Sequence, residues 1–161
     1  ENLDSTFPSD FTNEQKLEKK IIQSNFDDEA KENFLKGAKI AYETIITNFS
    51  KGNIKSIKYL LDKKVFEQFN EALKERENKG HKSETTFIGI SSASIKDHIK
   101  ENTIIEVSVD FVSEIISCVK DKNNKILSGD PEKVKKVFDT WKFSKDSKSN
   151  NPNWLLVDTD I

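Results

Sequence analysis

The chain has no methionine, and it carries one cysteine, three prolines and five glycines among its 161 residues. The single Cys118 excludes an intramolecular disulfide and supplies too few thiolates for a cysteine-based zinc site. Because a free cysteine usually packs as a small apolar side chain, we expect this thiol to be buried. No run of about 20 apolar residues is present, so the sequence predicts no membrane-spanning helix. Without methionine, Glu1 is not a natural start, so we expect a fragment or a processed product whose anchor, if any, precedes Glu1.

Neither sign of charge dominates this chain. There are 26 basic and 28 acidic residues, which give a formal net charge of -2, and Arg76 is the only arginine. Proteins that bind nucleic acid usually present a clear basic excess, so we expect no nucleic-acid partner. The length most simply corresponds to one domain, and the 34% hydrophobic content indicates a modest core.

Residues 1–25 differ in composition from the rest of the chain, because they are mostly polar and their phenylalanines are isolated. Pro8 and its serine and aspartate neighbours argue against regular structure there. We predict a flexible N-terminal arm over 1–25 and a single α+β domain over 26–161. If the arm contacts a membrane, we expect apolar side chains to insert into it, namely Phe7, Phe11, Leu17 and Ile21. We expect lysines to bind anionic headgroups, namely Lys16, Lys19 and Lys20.

Three apolar patterns with helical spacing follow the arm. Asp27 and Asp28 favour a helix start, since acidic groups complement the positive end of the helix dipole, and Gly52 favours its end. We interpret the apolar stripes as core rather than as cofactor sites. They comprise Phe34, Ala38, Ala41, Ile45 and Phe49, then Ile54, Ile57, Leu60 and Leu61, and then Val65, Phe66, Phe69 and Leu73.

After Gly80 the apolar period changes from about 3.6 residues to two, which predicts strands. Between Ile105 and Phe111 the odd positions are apolar and the even ones polar, so one face of that strand is buried. The predicted strands are 85–99, 103–119, 134–144 and 154–159, with a turn over 97–102 and a polar hairpin connection over 120–130. Helices followed by antiparallel strands predict an α+β fold, in which helices cover the concave face of a curved sheet of about four strands.

Several short motifs, taken together, resemble one known family. They are Gly37-Ala38…Ala41-Tyr42-Glu43, Phe111-Val112-Ser113-Glu114, Gly129-Asp130-Pro131, Trp141-Lys142-Phe143 and Asn151-Pro152-Asn153-Trp154. From about Phe26 to its end, the chain resembles the C-terminal domain of the forty-four-kilodalton peripheral subunit of the mitochondrial inner-membrane presequence translocase, and its bacterial relatives. Asn151 stands where that family often has an acidic residue.

The resemblance implies a nuclear-transport-factor-like cone with an apolar pocket between helices and sheet. It also implies a membrane-peripheral adaptor on the inner membrane, on the cytoplasmic side in a bacterium or the matrix side in a mitochondrion. The implied partners are anionic membrane lipid and a protein, either a chaperone or a membrane complex, with no cofactor and no metal. The abundance of lysine, isoleucine, asparagine and phenylalanine indicates AT-rich coding, which favours a bacterium.

The alternative function is a binding domain for an apolar ligand or peptide in the pocket between helices and sheet. Other members of this fold class commonly use that space for binding, although the same side chains can equally fill the core. The candidate lining residues are Phe87, Val109, Phe111, Val137, Asp139 and Trp141.

An enzyme is the third possibility, and we expect the chain not to be one. An enzyme on this fold needs a buried aspartate or histidine as general base. Asp110 is out of phase with the apolar face, so we expect it to face solvent or a helix edge. Asp139 is in phase with that face, and we expect it to cap a backbone group or pair with a lysine. His81 and His98 fall in predicted turns, so this spacing assembles no catalytic dyad.

Overall fold

The computed structural model describes residues 26–159, so the predicted arm and its seven membrane-binding residues lie outside the described part of the chain. The elements in order are α1 (Asp28–Lys51), the 3₁₀ helix η1 (Lys55–Leu60), α2 (Lys63–Asn78), β1 (Lys82–Glu101), β2 (Ile104–Lys120), β3 (Ile126–Gly129), β4 (Lys135–Asp146) and β5 (Leu155–Asp158). No helix within residues 26–159 is long and apolar enough to cross a bilayer.

The strands form one antiparallel sheet in the order β1-β2-β4-β5, with β3 pairing to β2 beyond the end of β4. Helices followed by an antiparallel sheet confirm the predicted α+β class. The sheet has five strands rather than about four, because residues 126–129 form β3 inside the stretch that was predicted to be a hairpin connection. The other strands lie close to their predicted positions.

Helix α1 begins and ends at the predicted signals. The Asp27 carboxylate accepts a hydrogen bond of 2.9 Å from the Ala30 backbone N–H, and Gly52 ends the helix with a φ of 78°. The buried side of the helix differs slightly from the predicted stripe, because Tyr42 is fully buried while Ala41 and Phe49 are half-buried. The buried residues of α1 are Phe34, Ala38, Tyr42, Ile45 and Ser50.

The core lies between the helices and one face of β2 and β4. Ile105, Val107, Val109 and Phe111 are all buried, which confirms the alternation predicted for this strand. The ring of Phe111 stacks on Tyr42 of α1 with centroids 4.2 Å apart. Burying a large apolar side chain stabilises the fold by about 1.5–3 kcal/mol, so this face accounts for much of the attachment of the helices. Cys118 is buried, as predicted.

Strand β1 runs further than its sequence predicts. It continues to Glu101, and the chain reverses at Asn102, which has a φ of 57°. The predicted turn over 97–102 is therefore wrong, and His98 lies within the strand, with its ring 4.8 Å from that of Phe26. Register shifts after Phe87, Ile90 and Ile95 interrupt the two-residue period, which hides the end of the strand from the pattern.

Gly129 allows β3 to lie against β2. Its φ is 80°, and a Cβ atom there would lie 2.3 Å from the Ser117 carbonyl oxygen and 2.8 Å from Cys118 Cα. The next residue, Asp130, accepts a hydrogen bond of 2.9 Å from the Glu132 backbone N–H. The Gly-Asp-Pro motif is therefore a structural turn with a backbone requirement that only glycine meets without strain.

We expect Gly129→Ala to lower the free energy of unfolding by about 1–3 kcal/mol or more. The new Cβ atom would clash with β2, and the backbone of residue 129 has a positive φ that alanine disfavours. Urea denaturation measures this change. Gly89→Ala is the matched control, since no heavy atom lies within 4 Å of its Cβ position. Equal destabilisation by the two substitutions would contradict the close approach of β3 to β2.

Candidate functional site

A cavity of about 780 Å³ opens beside the N-terminal half of α1. Its walls come from α1, from the start of β2, from the end of β4 and from the loop that leads to β5. Small-molecule sites usually have volumes of about 300–1,000 Å³, so this space is large enough for a ligand. We call it the aromatic cavity, and its lining residues are Phe26, Ala30, Asn33, Phe34, Gly37, Thr103, Ile105, Lys145, Asp146, Ser147, Ser149, Asn150, Asn151, Pro152 and Trp154.

Three aromatic side chains form the floor of the aromatic cavity. The three rings contact one another, with the Phe34 centroid 4.6 Å from Trp154 and 6.0 Å from Phe26, and the Phe26 and Trp154 centroids 6.2 Å apart. Phe34 also contacts Phe143 of the core at 5.8 Å. Edge-to-face contacts of this kind hold the rings in defined positions, so the floor is an ordered apolar surface continuous with the core.

The mouth of the aromatic cavity is polar and carries one charge of each sign. Lys145 Nζ lies 6.0 Å from the centroid of the Trp154 ring, within the range of a cation–π contact. Hydrogen bonds to Asp146 from the Lys148 backbone N–H and from the Thr103 hydroxyl lower the pKa of the Asp146 carboxyl. A backbone bond of 2.9 Å from Ser147 to Thr103 also ties this loop to the start of β2.

The Asn-Pro-Asn-Trp motif forms the last part of the cavity mouth. The Asn151 side chain accepts a hydrogen bond of 3.0 Å from the Asn153 backbone N–H, which closes a local turn before Trp154. A carboxylate at the same position could accept that bond, so asparagine in place of an acid preserves the turn. The sequence resemblance had singled out this motif without indicating that it lines a cavity.

The pocket residues predicted from the sequence lie elsewhere. Val109, Phe111 and Trp141 are buried in the middle of β2 and β4, while Phe87 and Val137 are half-buried. None of them lines the aromatic cavity. Their role in ligand binding stays a prediction, and their packing against the helices is what the structure shows.

Asp139 has a partner that the sequence did not suggest. Its Oδ2 accepts a hydrogen bond of 2.6 Å from the Tyr42 hydroxyl, rather than capping a backbone group or pairing with a lysine as predicted. Ser113 Oγ lies 3.0 Å from the same hydroxyl. Because the one phenolic proton goes to Asp139, Ser113 donates to Tyr42. The result is a hydrogen-bonded chain from β2 through α1 to β4.

Burial and the hydrogen bond to Asp139 raise the pKa of Tyr42 well above its ordinary value, so the phenol stays neutral. Tyr42 and Ser113 are both fully buried, and the prediction of site residues missed both. One signal could have revealed them. Ser113 is a polar residue in phase with the apolar face of β2, and a buried hydroxyl requires a partner.

The remaining candidates for acid–base chemistry are dispersed. Asp110 is half-buried on the face of β2 opposite to that of Phe111 and accepts a hydrogen bond of 2.6 Å from Thr140. His81 follows α2, and burial lowers the pKa of His98 in β1. Within residues 26–159, no group of three or more His, Cys, Asp or Glu residues could hold a metal ion. That the chain is not an enzyme stays a prediction.

Comparison with known proteins identifies one family. The family model described as Tim44-like domain matches residues 18–161, which confirms the resemblance and extends it ahead of Phe26. Among solved structures, the intermembrane space region of chloroplast protein ARC6 aligns with 15% identity and a TM-score of 0.47, covering 76% of this chain and 94% of that one. No curated protein matches the chain.

Tyr42→Phe tests the hydrogen-bonded chain. The substitution leaves Asp139 Oδ2 and Ser113 Oγ without their partner in the interior, and we expect the free energy of unfolding to fall by about 1–3 kcal/mol. Urea denaturation at neutral pH measures the change. Tyr59→Phe is the control, because Tyr59 is 55% exposed and its hydroxyl makes no comparable contact among residues 26–159. Losses of equal size in the two variants would refute this assignment.

The wild type and Tyr42→Phe also allow a test of pH dependence. The folded state holds the Tyr42 proton more tightly than the unfolded state, whose tyrosine pKa is about 10. The resulting stability is fully present below about pH 10 and is lost as the pH rises towards the folded pKa. We therefore expect the stability difference between the wild type and Tyr42→Phe to shrink above about pH 10. A difference that stays constant between neutral pH and pH about 11 would contradict this coupling.

Proposed function

The chain belongs to the family of Tim44-like domains, which are membrane-associated and related to protein translocases, and from this premise we propose that it is a membrane-peripheral adaptor. In this proposal the aromatic cavity takes up the apolar part of an anionic lipid, while another surface of the domain holds a protein partner. The aromatic cavity is the observation that supports this function best. It combines an apolar floor, enough volume for part of an acyl chain and a lysine at its mouth.

The energetics favour an apolar ligand with an adjacent anionic group. Burial contributes about 0.8 kcal/mol per methylene, so three or four methylenes on the floor contribute about 3 kcal/mol. One lysine near an anionic surface contributes about 1 kcal/mol, and Asp146 at the same mouth opposes it. The apolar contribution therefore dominates the affinity, and Lys145 orients the headgroup more than it strengthens binding.

The finer assignments draw on the family resemblance, and those of the arm draw on its apolar and basic side chains. We propose that the membrane is the inner membrane, on its cytoplasmic side in a bacterium or its matrix side in a mitochondrion. We propose a chaperone or a membrane complex as the protein partner, and no catalytic activity. The arm residues Phe7, Phe11, Lys16, Leu17, Lys19, Lys20 and Ile21 would add a second, weaker membrane contact.

A second candidate uses the same cavity without a membrane. The hydroxyl and amide groups of Ser149 and Asn150 beside the Trp154 floor could bind an apolar peptide or a small apolar ligand through both hydrogen bonds and burial. Native mass spectrometry of protein purified from its host tests this candidate. A co-purified ligand that adds mass to the wild-type chain, but not to a variant whose cavity is filled by a larger side chain, supports this candidate. A ligand-free mass in every preparation counts against it.

Co-sedimentation with vesicles tests the adaptor proposal, with phosphatidylcholine vesicles and vesicles that also contain cardiolipin. Gly37→Trp fills the cavity, because no heavy atom lies within 4 Å of the Cβ position of Gly37. We expect it to weaken binding to cardiolipin-containing vesicles about tenfold, which corresponds to about 1.4 kcal/mol. Ile40→Trp is the matched control, since Ile40 is on the same helix, is 68% exposed and lies outside the cavity.

The outcomes separate the two membrane contacts. Wild-type binding by Gly37→Trp would show that the cavity is not the lipid site. A chain with Lys16, Lys19 and Lys20 changed to glutamate isolates the contribution of the arm, and we expect a smaller loss than with Gly37→Trp. No sedimentation of the wild-type chain with either vesicle would contradict the membrane contact and leave the second candidate in its place.

A further inference from the structure

A second concave surface lies at the other end of α1. It is a groove of about 670 Å³ between the C-terminal ends of α1 and α2 and the start of β1. From Gly37, at the aromatic cavity, to Lys51, at this groove, the helix axis spans about 21 Å, so one ligand of small size cannot occupy both. We call it the cationic groove, and its charged lining residues are Lys51, Lys55, Lys74, Arg76, Lys82 and Glu77.

The basic residues of the cationic groove lack acidic partners among the residues that the structure describes. Within residues 26–159, none of its five cationic side chains has a carboxylate oxygen within salt-bridge distance. Lysines elsewhere do have such partners, since the Lys79, Lys120 and Lys142 ammonium groups lie 3.0–3.9 Å from glutamates. A concave surface on which basic side chains outnumber the single acidic one, Glu77, produces a focused positive potential, which attracts anions.

Arg76, the only arginine of the chain, is held in place at the base of the groove. Its Nη2 donates hydrogen bonds to the carbonyl oxygens of Phe49 and Ser50, at 3.3 and 3.0 Å, and its guanidinium lies 5.6 Å from the Phe49 ring centroid. These carbonyls are the negative end of the α1 dipole, which favours a cation there. Because only Nη2 is engaged among the described residues, the other guanidinium N–H groups remain available to a ligand.

The charges of α2 are divided between the groove and the rest of the helix surface. Lys74, Arg76 and Glu77 line the groove, whereas three other acidic residues of the same helix, Glu67, Glu71 and Glu75, do not. Five cations against one glutamate make the groove strongly positive although the whole chain has a net charge of -2. The half-buried Leu73 adds an apolar component to the same lining, whereas Ile54 is only 5% exposed and belongs to the core.

We propose that the cationic groove docks an acidic segment of a protein partner, with an apolar residue of that segment on the half-buried Leu73. This inference rests on the proposed adaptor function for the nature of the partner. The distribution of charge favours an extended peptide over a single phosphate group. The lysines are on separate elements and on long side chains, and an extended acidic chain can meet them one after another.

The test uses fluorescence anisotropy with the full chain and a labelled synthetic peptide of alternating glutamate and leucine. A peptide with glutamine in place of glutamate is the control ligand. We expect Lys55→Glu/Lys74→Glu to weaken binding of the acidic peptide about tenfold. Lys39→Glu/Lys64→Glu makes the same change in net charge at exposed positions outside the groove, and we expect less than about a twofold effect. Thermal unfolding verifies that all variants are folded.

Several results would overturn the docking proposal. These are equal weakening by the two double variants, equal binding of the glutamate and glutamine peptides, or no peptide binding at all. Displacement of the peptide by inorganic phosphate or by cardiolipin-containing vesicles would assign the groove to phosphate groups instead. Vesicle co-sedimentation of the same variants separates this inference from the adaptor proposal. We expect Lys55→Glu/Lys74→Glu to retain vesicle binding. A wild-type chain that binds the peptide but no vesicle would remove only the membrane role.

Discussion

The hydrogen bond from Tyr42 to Asp139 determines where the long helix lies on the sheet. Apolar contacts alone are non-directional and would tolerate small shifts of α1 along β2 and β4. The 2.6 Å bond to Asp139, the contact to Ser113 and the stacking on Phe111 define one position. Because α1 lines the aromatic cavity near its N-terminal end and the cationic groove at its C-terminal end, this one attachment positions both surfaces.

The two surfaces differ in chemistry and are joined by one rigid element. The aromatic cavity combines an aromatic floor with a polar mouth that carries one charge of each sign, whereas the cationic groove concentrates positive charge. Apolar binding is little affected by salt, while binding between exposed charges weakens as ionic strength rises. If both surfaces bind as proposed, the affinity for a partner in the cavity would change little with salt, and the affinity for a partner in the groove would fall as ionic strength rises.

Local signals in the sequence were enough to predict much of the fold. Asp27 and Gly52 marked the ends of α1, and the alternation around Val109 identified the buried face of β2. Contacts between distant residues could not be predicted in this way. Tyr42 and Asp139 are 97 residues apart, and the aromatic cavity forms only when Phe34 and Trp154 meet across the fold. The family motif marked Trp154, but only the fold shows that it lies on a cavity floor.

The register shifts in β1 have a consequence for how the protein behaves at high concentration. β1 is 20 residues long and lies at one end of the strand order, so in the described part of the chain one of its edges pairs with no strand. A long, flat, unpaired edge is a template on which identical chains can add strand to strand and aggregate. The shifts after Phe87, Ile90 and Ile95 break that edge into short pieces, and Lys96 and Lys100 place charge along its far end. Irregularity in this strand therefore protects the chain against aggregation.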